Sequence, residues 1–154
     1  MVSKPSWMSR PRLLRKIDPD RVKAAIGAAE KRTSGEIRVS ISSFFWGDVY
    51  FAAVRAFERM QMHKTALRNG VLLFVVPSRR RFVVLGDSGI HEKVGQDFWE
   101  RVASAISEHF RRGDFTSGIV HGVEVVGEQL AAHFPYQAGA DVNELPDEID
   151  YGKS

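Results

Sequence analysis

The chain has 154 residues, 44% of them hydrophobic and none of them cysteine, which suits one domain with a core of its own. The lack of cysteine excludes disulfides, zinc thiolate sites and cysteine nucleophiles together. The net charge of +3 is unevenly spread: Lys4, Arg10, Arg12, Arg15 and Lys16 precede the first acid, and Asp141, Glu144, Asp147, Glu148 and Asp150 crowd the other end.

Residues 1–17 therefore read as a basic arm, 18–135 as the domain and 136–154 as an irregular acidic tail. A basic arm suits contact with nucleic acid or an anionic surface. Two solvated ends that complement each other, or a neighbouring molecule, are the simpler reading and the one preferred here. The opening residues lack the apolar run of a signal peptide, and no stretch reaches the ~18 apolar residues that span a bilayer. A cytoplasmic protein is expected.

Along the chain, Asp18-Pro19-Asp20 opens a helix near 18–32, with a capping acid, proline in the first turn and a second acid beside the helix dipole. Glu36-Ile37-Arg38-Val39-Ser40-Ile41 alternates polar and apolar residues, the period of a strand near 36–43. Gly47-Asp48 caps a second helix, near 48–62. Asn69-Gly70 signals a turn into Val71–Val76, which is apolar on both faces and belongs in the middle of a covered sheet. Pro77-Ser78-Arg79-Arg80 connects it to a strand near 81–86, so these two strands form a hairpin. The earlier strand–helix–strand unit should be parallel. Val94, Phe98, Val102, Ile106 and Phe110 make one apolar stripe, and Ile119, Val123, Val126, Leu130 and Phe134 another, placing helices near 94–111 and 116–134. The fold class is α/β: a three-layer α/β/α sandwich, a small mixed sheet with helices on both faces.

Four blocks carry a family pattern: Thr33-Ser34-Gly35-Glu36-Ile37-Arg38-Val39, Arg68-Asn69-Gly70-Val71-Leu72-Leu73, Gly86-Asp87-Ser88-Gly89-Ile90, and Arg112-Gly113-Asp114-Phe115 with Gly118. In this order they resemble the TPM domain family over roughly residues 18 to 135. The segment Asp141–Ile149 is similar to a stand-alone soluble bacterial branch of it. The resemblance implies an α/β/α sandwich, divalent-cation binding (calcium or magnesium) in some members, and an acid phosphatase activity. Where many members have an acid before Asn-Gly, this chain has Arg68; where many have a glutamate after Gly89-Ile90, it has His91. Both changes lower the negative charge near the expected site.

Hard cations need several oxygen ligands, with carboxylates among them. The acids near strand ends and adjoining loops are Glu36, Asp87, Glu92, Asp97 and Asp114. Asp87 follows a strand, between Gly86 and Gly89, which leave the backbone free to turn carbonyls toward an ion. The expected metal site is thus Asp87 with Asp114 as second carboxylate, His91 or Asp97 at its margin and Glu36 as a further candidate; its affinity should be modest, on the order of 10⁻⁴–10⁻³ M. A turn acid explains Asp87 equally well, and helix caps explain Asp97 and Asp114.

Other catalytic signatures are missing. Gly86-Asp87-Ser88-Gly89 echoes a serine-protease motif, but such enzymes are all-β and need a buried Asp–His pair. There is no Gly-x-Ser-x-Gly elbow, no phosphate-binding loop and no His-Glu-x-x-His. Trp46 and Trp99 are expected to pack in the interior. Function reads as a divalent-cation-binding interaction module with an unnamed protein partner; the alternative is a weak metal-assisted acid phosphatase.

Overall fold

The computed structural model describes residues 17–43, 45–137 and 149–152. Helix α1 (Pro19–Glu30) begins where the sequence places it, with the Asp18 carboxylate accepting from the amides of Asp20 and Arg21. Strand β1 (Glu36–Ile41) follows, then α2 (Val49–Arg59), whose cap Asp48 accepts from the amide of Phe51. Strand β2 (Gly70–Val76) and β3 (Arg81–Gly86) are joined by a single 3₁₀ turn, with Arg80 in the left-handed region at φ 50°. Helices α3 (Ser88–Val94), α4 (Gln96–Arg111) and α5 (Phe115–His133) complete the domain.

The sheet order is β1-β2-β3. β1 and β2 are parallel, with Glu36 opposite Gly70, and β2 and β3 are antiparallel, with Val71 opposite Gly86. β2 is central and all seven of its residues are buried, as its unbroken apolar run requires. The pleat sorts side chains to two faces. Ile37, Val39, Ile41, Val71, Leu73 and Val75 meet α1, α4 and α5 in the main core. Leu72, Phe74 and Val76 meet Val49, Ala53 and Ala56 of α2 in a smaller one. Phe98 and Val123, the predicted contacts of the last two helices, are both buried.

The chain departs from the sequence expectation in three places. Ser88–Val94 is a separate short helix rather than the run-up to α4, because Gly95, at φ 76°, ends one helix and starts the next. Trp99 packs, but Trp46 does not: it is 90% exposed in the β1–α2 loop, off any apolar stripe. Part of the acidic tail is ordered against the sheet. Ile149 is buried in the main core, and Asp150 bridges Ser40 in parallel along the free edge of β1. The basic arm, residues 1–16, lies outside the described residues.

Candidate functional site

The expected site begins at the end of β3. Asp87 is buried and caps α3, accepting from the amide of Ser88 at 2.8 Å. Both of its carboxylate oxygens also accept from one guanidinium: Arg68 Nε lies 2.7 Å from Oδ2 and Nη2 lies 2.8 Å from Oδ1. This is the two-pronged geometry that makes Arg–carboxylate pairs strong. Arg68 reaches Asp87 from a tight turn in which its own backbone is left-handed at φ 51°, a conformation uncommon for a branched, bulky or long side chain. The pair is further locked by backbone bonds, Asp87 N–H to Gly70 O at 2.9 Å and Gly89 N–H to Arg68 O at 2.8 Å.

The other candidates are not gathered around it. Asp114 caps α5, accepting from the amide of Ser117, and that bond holds its carboxyl below the ordinary carboxylate range. It sits at the opposite end of the sheet. Arg80, beside the Val76 end of β2, donates to Arg111 O just before Asp114, whereas Asp87 adjoins the Gly70 end. Seven residues of β2 separate the two ends, roughly 20 Å at ~3.3 Å per residue. One ion cannot take both carboxylates, which corrects the expected pairing. His91, on α3, accepts from the Trp99 indole at 3.0 Å through Nδ1. Asp97 is exposed in the first turn of α4. Glu36 starts β1, buried, at the same sheet end as Asp87 but across β2 from it. Among the described residues no three His, Asp or Glu side chains converge where an ion could sit.

The donor set at Asp87 does not fit a divalent cation, since an ion there would have to displace a guanidinium already seated on both oxygens. Nor do Gly86 and Gly89 serve to turn carbonyls outward. A Cβ on Gly86 would lie 2.2 Å from the Trp99 ring, and one on Gly89 would lie 2.0 Å from Leu67 O. Both glycines are present because other groups pack where a side chain would be. Asn69, next to Arg68, is 1% exposed, and its side-chain amide has no hydrogen-bond partner among the described residues; nothing in the structure explains it.

A second region was not legible in the sequence. α2 lies over β2 and β3, leaving the α2-side surface of β1 as the floor of a groove of about 900 Å³. Ser40 and Phe74 form the floor, Ala52, Arg55 and Arg59 of α2 one wall, and Gly152 part of the other. Phe45 and Trp46, from the β1–α2 loop, complete the lining. Trp46, Tyr50 and Phe51 are 90%, 61% and 60% exposed, three large apolar side chains within six residues. Arg79 reaches the same loop, donating to Gly47 O at 2.7 Å with its guanidinium 5.6 Å from the Phe45 ring. The signal was present as Phe45-Trp46-Gly47-Asp48, but an aromatic loop and a buried one look alike until the helix is placed.

A three-stranded mixed sheet between α2 on one face and α1, α3, α4 and α5 on the other defines a small α/β/α domain. The TPM domain matches residues 10–129. The NMR structure of BA42 protein from the psychrophilic bacterium Bizionia argentinensis superposes with a TM-score of 0.80 and 39% identity, covering 88% of this chain and 95% of that one. The chain belongs to the TPM domain family. The N-terminal domain of cg2496 protein from Corynebacterium glutamicum shares the fold, with a TM-score of 0.55 at 18% identity over 72% of this chain and 70% of that one. No functionally curated protein matches. No helix among the described residues is long and apolar enough to cross a membrane.

Proposed function

We propose that this protein is a docking module of the TPM family, which holds an extended segment of a partner protein in the groove between β1 and α2. The observation that carries the reading is the exposure of Trp46 and Phe51 in the lining of that groove, with Tyr50 exposed next to Phe51 in α2. Contiguous exposed aromatics on a small domain mark interaction surfaces. Arg55 and Arg59 along one wall favour an acidic or carboxylate-bearing occupant.

In this reading the sheet end at Asp87 is structural, with the Arg68 guanidinium supplying the positive charge that calcium or magnesium would bring. The acid phosphatase alternative needs a carboxylate cluster that holds an ion, and Asp87 is committed to Arg68.

Selection of binders from a library of extended peptides, followed by amide-shift mapping, tests the proposal. Binders should perturb residues 40–59 and the Trp46 indole, and Trp46→Ala should weaken them at least tenfold. Binders that map elsewhere, or that tolerate Trp46→Ala unchanged, would defeat it.

A further inference from the structure

The C-terminal segment lies against β1 as a bound peptide would. Asp150 N–H donates to Val39 O at 2.9 Å, and Ile41 N–H donates to Asp150 O at 2.7 Å, extending the sheet by one bridge. The Asp150 carboxylate accepts from Arg59 Nη1 at 3.0 Å, Arg59 Nη2 at 2.7 Å and the Ser40 hydroxyl at 2.7 Å. Ile149 before it is buried in the core. Main-chain bonds along a sheet edge, with pockets for alternate side chains, are how domains bind extended peptides by strand addition.

Two features show that this contact adjoins the groove and is open to competition. Gly152, at the end of the described segment, is itself part of the groove wall, so the edge contact and the groove are continuous. The Arg59 side chain keeps 33% of its exposure and Asp150 13%, which leaves the ion pair within reach of solvent and of a rival carboxylate. The surrounding charge suits such a rival. Arg55 and Arg59 line this region and Arg79 donates to its Gly47 carbonyl, against Asp48 and Glu58, and Asp48 is engaged in capping α2.

Resting on the docking reading, we propose that Ile149–Gly152 is an internal ligand that occludes the acceptor. The partner is an extended acidic peptide with an aliphatic residue followed by aspartate. It takes the places of Ile149 and Asp150 along β1 and continues past Gly152 toward Trp46. The chain is then self-inhibited until its own segment is displaced.

The probe is a fluorescent peptide with the sequence of residues 147–154, titrated by anisotropy into full-length protein. Three proteins are compared: the unaltered chain, Ile149→Ser with Asp150→Asn to release the segment, and that variant with Arg59→Ala added. Asp150→Asn alone stands in if the double change does not fold. The released variant should bind the probe at least tenfold more tightly than the unaltered chain, and Arg59→Ala should abolish the gain. Equal affinities for the first two proteins overturn self-occlusion. If library-selected peptides then still map to Trp46, the docking reading stands without it. If instead the probe shows the expected gain but selected peptides avoid Trp46, the edge contact is confirmed and the docking reading falls.

Discussion

Replacing Gly89 with alanine should be among the most damaging single-methyl additions to this protein, although the residue sits in the first turn of a helix of only seven residues. The added Cβ would lie 2.0 Å from Leu67 O and 2.6 Å from Arg68 O, both backbone atoms that no rotamer change can move. Ordinary carbon–oxygen contact needs more than 1 Å of extra separation, so α3 must shift away from the turn before β2. That shift stretches the Gly89 N–H to Arg68 O bond, now 2.8 Å, and draws Asp87 off the Arg68 fork. Overpacking against rigid neighbours costs about 1–3 kcal/mol, and a lost backbone hydrogen bond adds about 1. The sum is about 2–4 kcal/mol, or a melting temperature lower by roughly 4–16 °C for a chain of this size. Urea melts followed by circular dichroism measure it directly. Gly27→Ala is the control: it lies inside α1 with nothing within 4 Å of the new methyl, and should gain about 0.5–1 kcal/mol. A Gly89→Ala loss below ~1 kcal/mol would refute the close-packing account of this block.

Phe98→Ala should cost about 3–5 kcal/mol in the same melts, because the ring is buried beside Trp99 in the main core; a loss under ~1 kcal/mol would place it outside that core. Saturating calcium or magnesium should leave the amides around Asp87 unmoved in NMR spectra of the unaltered chain, while Arg68→Asp should create a cation-dependent rise in melting temperature. Cation-induced shifts at Asp87 with Arg68 in place would show that the guanidinium does not hold the site. Burial alone would raise the Asp150 carboxyl, but hydrogen bonds from Arg59 and Ser40, with the Arg59 charge, outweigh it and hold the group below its ordinary range. A lowered folded value means the stabilisation is present above the unfolded pKa of ~3.9 and is lost as pH falls through the folded one. The Ile41 amide should therefore keep its protection down to about pH 4 and lose it below, and Asp150→Asn should remove the transition. Loss of that protection above about pH 5 would contradict this.

The order and type of the main elements are legible in one dimension, because each rests on local signals. Asp18 and Asp48 cap helices through their own nearby amides, and Val71–Val76 is apolar on both faces, a run that only a central strand can bury. The stripes through Phe98 and Val123 needed no knowledge of the partner face to be recognised. The sites depend on how the chain packs. Asp87 and Asp114 stand in similar Gly-Asp blocks, yet the antiparallel return of β3 and the direction of α5 send them to opposite ends of the sheet. Arg68 reads as a missing acid in one dimension and is a bound cation in three, because its left-handed backbone turns the guanidinium onto a carboxylate 19 positions away. Ile149-Asp150 carries no periodicity, and its place on β1 depends on Ser40 and Arg59, which lie 110 and 91 positions away in sequence. Local sequence signals specify hydrogen bonds and apolar faces within a few residues. Which distant groups meet is set by how the packed layers close, and that is where the groove, the ion pair and the tail contact arise.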